Sequence, residues 1–176
     1  MAKRKSMEVD QYARVAASTA IYPIIKAGIP VYPALKISGE AGEFEEAMER
    51  GDVKQVLAEA GDLTWYLTMI ARDIGFAASV VLSQIELSPR IHQRGDVLIH
   101  AARISEAVGK WIRDESITKK EEAQDRIARL CRELAWALTA AIRVHGLTLG
   151  EAMAANAKKL ADRKARDVIQ GSGDER

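Results

Sequence analysis

Four carboxylates stand in two pairs of equal spacing, Glu40 with Glu43 and Glu59 with Asp62. Gathered in one groove, four acidic groups repel strongly unless a divalent cation sits among them. An i, i+3 pair on a helix places both side chains on one face, one above the other. The surrounding sequence supplies the helices: Ile37, Ala41, Phe44 and Met48 recur at steps of four and three, as do Val56, Ala60, Leu63, Leu67, Ile70 and Ile74. Each carboxylate immediately precedes a residue of its apolar stripe. If the stripes pack as an antiparallel hairpin, the acids meet along one edge of the seam.

Gly39, Gly42 and Gly61 lie within or beside these helices, where each costs about 1 kcal/mol relative to alanine. Close helix approach, or room for a ligand beside the acids, would offset that cost. A single acidic pair is ordinarily a solvated helix face; two pairs in matched phase with adjacent glycines weigh against that reading. Glu8, Glu45, Glu46, Glu49 and Glu86 lack this context and read as surface charge.

A second constellation lies near the C-terminus. Asn156, Lys159 and Arg163 follow at i, i+3 and i+7, giving one helix face an amide, an ammonium and a guanidinium, a combination suited to phosphate. Its plain alternative is a solvated face. A tail, Gly171-Ser172-Gly173-Asp174, is glycine-rich enough to fold over a ligand, with a disordered end as the default.

The 176 residues suit one domain, 1–176, with a substantial core. With 26 basic against 25 acidic residues, nothing favours stable nucleic-acid binding or attraction to a membrane. The basic start, Ala2 to Lys5, precedes no signal-like apolar run and reads as a disordered end. No apolar stretch approaches bilayer length, which predicts a soluble protein, and a reducing cytoplasm fits the lone Cys131, set between Leu130 and Leu134 as a core thiol. His92, His100 and His145 have no partners at ligand spacing and read as structural or exposed.

Prolines occur only at 23, 30, 33 and 89, so the fold is expected to be all-α. Helices are predicted over 9–22, 34–50, 53–74, 97–114, 119–145 and 149–167, with a less regular region over 77–94. Thr118 and Thr148 read as helix starts, Gly75 and Gly146 as stops. The acidic hairpin spans 34–76 and the basic helix and tail 147–176. Between them, 77–146 carries an echo: Trp65 to Trp136 and Gly75 to Gly146 share an offset of 71, and Ile104-Ser105-Glu106-Ala107 is similar to Ile37-Ser38-Gly39-Glu40-Ala41. The paired carboxylates are lost in this second segment. A degenerate second hairpin, completing a four-helix bundle without a metal site, is the expectation; chance similarity is the competing one.

Gly39-Glu40-Ala41-Gly42-Glu43, followed by Glu59-Ala60-Gly61-Asp62-Leu63-Thr64-Trp65-Tyr66-Leu67, resembles the MazG-like nucleoside triphosphate pyrophosphohydrolases of the all-α NTP pyrophosphatase superfamily, whose signature is ExxE then ExxD. The resemblance extends to Gln11-Tyr12, Thr19-Ala20, Tyr22-Pro23, Tyr32 to Lys36, and Asn156 to Arg163 with the tail. It covers 8–76 and 147–176, and phage-type and short bacterial members are the most similar. The segment 77–146 looks like an insertion relative to the shortest members.

The resemblance implies hydrolysis of an NTP or dNTP, a purine dNTP among the options, to the monophosphate and pyrophosphate, in nucleotide-pool control in the cytoplasm of a bacterium or phage-infected cell. Mg²⁺ or Mn²⁺ would sit on Glu40, Glu43, Glu59 and Asp62, which are also the catalytic set, with Glu43 or Glu59 orienting the attacking water. Oxygen-only ligands suit hard cations, and the lack of paired Cys or His argues against zinc. Lys159 and Arg163 would neutralise phosphate charge, with Asn156, Lys36 and Tyr12 as further substrate contacts. Tyr12, Tyr22, Trp65 and Tyr66 are candidates for stacking on the base, core packing being favoured for Trp65. A homo-oligomer, dimer or tetramer, is expected. The alternatives are a dUTPase-like or stepwise phosphate-releasing hydrolase, and a non-catalytic helical interaction module.

Overall fold

The computed structural model describes residues 6–26, 28–83, 91–116 and 118–168. Among these residues the chain is all-helical, with no strand. The expectations for Ala2 to Lys5, Glu86 and the tail from Gly171 lie outside the described residues.

Helix α1, Val9–Ala17, ends five residues earlier than its pattern suggested. The Ser18 hydroxyl donates to the Val15 carbonyl and that of Thr19 to the Ala16 carbonyl, both at 2.8 Å. These side chains satisfy carbonyls of the last turn, and Pro23 then bars a helical residue at Tyr22. An irregular segment leads to α2, Val31–Arg50, which begins three residues before its expected start. Pro33 is tolerated there because the N–H groups of a first turn have no intrahelical acceptor.

Gly51, at φ +65°, reverses the chain, and the Asp52 N–H reaches the Ala47 carbonyl at 3.1 Å. The Asp52 carboxylate then caps α3, Val53–Asp73, accepting from the Lys54 and Gln55 N–H groups at 3.1 Å. With so short a link, α2 and α3 form an antiparallel hairpin. Ile37, Ala41, Phe44 and Ala47 join Val56, Ala60, Leu63, Leu67 and Ile70 in one buried cluster, all fully buried. These are the two stripes read from the sequence, Met48 packing at their edge.

After the short α4, Ala78–Leu82, a second hairpin pairs α5, Asp96–Arg113, with α6, Lys120–Arg143. Helix α5 packs on α2 and α6 on α3, completing a four-helix core. Helix α6 starts at Lys120, not at a Thr118 cap: the Thr118 hydroxyl donates back to the Asp114 carbonyl at 2.9 Å and so is spent on the preceding turn. Helix α7, Leu149–Ala165, opens with the expected Thr148, in a capping box with Glu151. It packs on α3, and α1 packs on α7.

The two hairpins correspond in detail. The Ser38 and Ser105 hydroxyls meet at 2.8 Å where α2 crosses α5. The Ser105 hydroxyl also faces the carbonyls of Ala34 (2.6 Å) and Ala101 (3.3 Å), themselves 67 residues apart like the two serines. Gly75 (φ +83°) ends the first hairpin and Gly146 (φ +66°) the second. Beyond them the Phe76 N–H reaches Ala71 and the Leu147 N–H reaches Ile142, again 71 apart. The helices that follow differ in their packing: α4 lies against both α6 and α3, and α7 lies on α3 of the first hairpin.

A candidate metal and phosphate site

On α2 and α3 the acids stand one position from residues that face the core, so packing the stripes draws them together at the seam. Oxygens of Glu40, Glu43 and Glu59 all lie within 4.8 Å of one another. Glu59 is buried, and the Gln55 side-chain amide, one turn earlier, donates to its Oε1. Glu43 is exposed and Glu40 lies between these extremes. Burial, then the charges of Asp62 and Glu43, push the Glu40 carboxyl up to about 7, against partial relief from Lys36 and Lys159. The Lys36 ammonium is 3.9 Å from a Glu40 oxygen. This electrostatic tension and the all-oxygen donor set fit a hard divalent cation, which Glu40, Glu43 and Glu59 are placed to hold.

Asp62 stands beside this cluster but turns toward α7. Its Oδ1 accepts from the Asn156 amide at 2.7 Å, and its Oδ2 is paired with the Lys159 ammonium. Two of the three residues expected to form a basic face are thus joined to the acidic hairpin. Arg163, one turn beyond Lys159, is 7% exposed and so not part of a solvated face. The approach of α7 rests on Gly61: a Cβ there would stand 2.8 Å from the Asn156 Cβ and 3.0 Å from the Ala152 carbonyl. Gly39 and Gly42 differ, since a Cβ on either would meet nothing within 4 Å in this chain. The first glycine answers to helix approach, the other two to open space on α2.

Tyr12, expected to touch substrate, is fully buried beside Ala16, Met69, Met153 and Ala157. That leaves no ring face for a ligand. Its hydroxyl donates to Asn156 Oδ1 at 2.7 Å, and burial and the Asp62 charge hold it well above the usual phenol range. The spacing of Tyr12 and Ala16, one turn apart, was the available signal that this side of α1 faces inward.

An aromatic ladder leads away from the acids. Tyr66, whose hydroxyl is raised by burial and by the charge of Glu40, lies 6.5 Å from Tyr32 between ring centroids. Tyr32 stacks on Tyr22 at 4.9 Å, and Trp65, partly buried, meets both Tyr22 and Tyr66 edge-on. Tyr22 and Tyr32 line a cavity of about 410 Å³ with Ile25, Ile29, Arg72 and Asp73. The Tyr22 hydroxyl donates to Asp73 at 2.8 Å and accepts from Arg72 at 2.7 Å. Sequence reading named Tyr22, Trp65 and Tyr66 for stacking but missed Tyr32, Arg72 and Asp73, which only the fold brings to one cavity.

No family model, curated protein or solved structure matches this chain.

The other sequence candidates divide cleanly. Cys131 is buried, which pushes its thiol up, away from nucleophilic character. His100 is buried with Nδ1 3.6 Å from a Glu133 oxygen. Glu45, read as surface charge, is instead 8% exposed, and its Oε2 accepts the Gly95 N–H at 3.2 Å, at the start of α5. A carboxylate on α2 thereby caps a helix of the other hairpin. Among the described residues no helix is long and apolar enough to cross a membrane.

Proposed function

We propose that this chain is a metal-dependent nucleoside triphosphate pyrophosphohydrolase of the MazG-like kind, cleaving a (deoxy)nucleoside triphosphate to the monophosphate and pyrophosphate. The observation that carries the reading is the convergence of Glu40, Glu43 and Glu59 oxygens beside an Asp62–Lys159 pair. Burying Glu59 beside two further carboxylates costs stability that a bound cation would offset.

When bound, Mg²⁺ or Mn²⁺ supplies charge neutralisation at the phosphates and a more acidic water. The chain's own residues do the remaining work. Glu43, open to solvent, is the carboxylate placed to accept a proton from an attacking water, while Glu59 is fixed by Gln55. Water oxygen bonds to the α-phosphorus as the bond to the bridging oxygen breaks, and pyrophosphate leaves. Lys159 lies at the acidic edge, where its ammonium can neutralise charge on the leaving group. The cavity lined by Tyr22, Tyr32, Arg72 and Asp73 offers aromatic and hydrogen-bonding groups to a base, which supports a nucleotide over inorganic polyphosphate.

The reading extends to a cytoplasmic homo-oligomer, supported by exposed Leu35 on α2 and Leu98, Ile99 and Ile112 on α5. Light scattering distinguishes dimer from tetramer. The deciding experiment incubates the protein with each common NTP and dNTP plus Mg²⁺ or Mn²⁺, resolving pyrophosphate from orthophosphate. Pyrophosphate from at least one nucleotide is expected. Orthophosphate alone would indicate stepwise phosphate release. No turnover, with no stabilisation by either metal, would indicate a helical interaction module.

A further inference from the structure

We infer that Tyr12 and Asn156 are positioning residues, a hydroxyl–amide relay from α1 through α7 that fixes the Asp62 carboxylate beside the acidic cluster. The inference rests on the site assignment of the proposed function.

A side-chain amide has two unlike ends, and which end faces a carboxylate decides whether the contact attracts or repels. Asn156 is 3% exposed, so water does not decide it. Asp62, which only accepts, and the Tyr12 hydroxyl decide it together. The hydroxyl has one proton to give, directed to Asn156 Oδ1 at 2.7 Å, with the Gly61 carbonyl farther off at 3.4 Å. Once Oδ1 is occupied as an acceptor, Nδ2 must point the other way, and it donates to Asp62 Oδ1 at 2.7 Å. A flipped amide would set its oxygen against the acceptor-only Asp62 carboxylate and turn the Tyr12 proton to the more distant Gly61 carbonyl. With Lys159 on Oδ2, both Asp62 oxygens are then held from α7.

The packing serves the same end. Tyr12 is fully buried among Ala16, Met69, Met153 and Ala157, so its ring cannot swing away. The absent side chain at Gly61 lets the Asn156 backbone come close enough to span both partners. Neither Tyr12 nor Asn156 needs to touch the nucleotide. Their effect reaches it through the orientation of Asp62 and through the ammonium of Lys159, which shares that carboxylate.

Tyr12→Phe removes the hydroxyl and keeps the ring. In the metal-free protein the Asn156 side-chain NH₂ protons should exchange with solvent at least about tenfold faster in this variant, read by NMR. Mn²⁺ affinity should weaken about tenfold, as for other outer-shell partners of a metal site. The turnover number should fall by a similar factor while KM for the nucleotide stays within about twofold. Asn156→Ala, which leaves Tyr12 packed, should give the same losses and carries the test if Tyr12→Phe does not fold. The double variant should be no worse than Asn156→Ala alone, because the two act in series.

Unchanged amide exchange and unchanged Mn²⁺ affinity in Tyr12→Phe, with only a lower melting temperature, would overturn the inference. Additive losses in the double variant would overturn it too. Faster amide exchange in a protein whose wild type binds no Mn²⁺ would instead sink the metal-site reading, leaving Tyr12 as the residue that orients Asp62.

Discussion

The two hairpins share a packing plan and differ in a few polar positions. On the core side, Ala34, Ile37, Ala41 and Phe44 of α2 have buried counterparts 67 residues later in Ala101, Ile104, Val108 and Trp111 of α5. Val56, Ala60, Leu63 and Leu67 of α3 are matched 71 residues later by buried Ile127, Cys131, Leu134 and Leu138 of α6. The positions beside those stripes diverge. Glu40 and Glu43 are answered by Ala107 and Lys110, and Glu59 and Asp62 by Leu130 and Glu133. Lys110 pairs with Glu106 at 2.6 Å and Glu133 faces His100, so the second seam has lost its convergent acids. The helix laid across each hairpin differs as well. Gly61 admits the long α7, whereas its counterpart Arg132 holds the five-residue α4 by donating to the Val80 carbonyl at 3.0 and 3.2 Å. The scaffold is therefore neutral toward chemistry. On the proposed function, whether a seam becomes a site depends on its flanking acids and on whether a glycine lets a basic helix close over them.

The largest expected effect comes from giving the first hairpin the second's residue. Glu59→Leu should lower metal-dependent turnover by at least about a hundredfold, the scale of losing one electrostatic group of a site. Without metal the protein should melt at the same temperature or higher, since a buried charge is replaced by a residue its counterpart already tolerates. A variant that keeps its turnover would break the comparison at its centre.

Next in size, Gly61→Val should destabilise the fold by about 1–3 kcal/mol through overpacking against α7. It should also weaken Mn²⁺ binding by displacing Asn156. Arg132→Gly, at the matching position, should cost about 1 kcal/mol through helix propensity, together with the α4 contact, and leave Mn²⁺ affinity alone. Urea denaturation and metal titration of the pair measure the contrast.

Glu45→Ala should cost about 1–2 kcal/mol, the usual scale for a helix cap, because it leaves the start of α5 without its acceptor. Ile112→Ala, 67 residues on and exposed, should change stability by less than about 0.5 kcal/mol. Equal losses would return Glu45 to the surface role its spacing first suggested.

The last expected effect is a slope with pH, not a single loss. The folded-state Glu40 carboxyl is pushed up to about 7 from an ordinary 4.5. Between those values the folded state therefore binds the proton more tightly than the unfolded chain. The Glu40 contribution to stability accordingly falls as pH rises from about 4.5 to about 7 and is level beyond. Ala107, its counterpart, has nothing to titrate. Chelator-treated wild type should lose stability between pH 5 and 7.5 relative to Glu40→Gln, and parallel urea midpoints across that range would refute the effect.

Much of the fold was legible because the stripes of α2, α3, α5 and α6 are long and regular, and long periodic segments are what local spacing encodes best. Helix ends were less so: Ser18 and Thr19 closed α1 early and Pro33 entered α2, both through hydrogen-bonding choices that periodicity does not carry. Within the site, Glu40, Glu43 and Glu59 converge because their phase relative to the stripes is a local property. The partnership of Asp62 with Asn156 spans 94 residues and that of Tyr12 with Asn156 spans 144, so no local spacing announces either. Glu45 was misread for the same reason, since the N–H it meets belongs to a helix fifty residues away.

The packing of α7 onto α3 has a consequence for the order in which the protein is made. On the ribosome the acidic groups emerge by residue 62, but Asn156 and Lys159 follow only after both hairpins have been synthesised. A nascent chain at that stage would hold three converging carboxylates beside Lys36, with Asp62 still awaiting its partners on α7. Since domains tend to fold as they emerge, the partners of Asp62 arrive only after both hairpins can form. The pairing of Asp62 with Asn156 and Lys159 would then report that translation had passed α7.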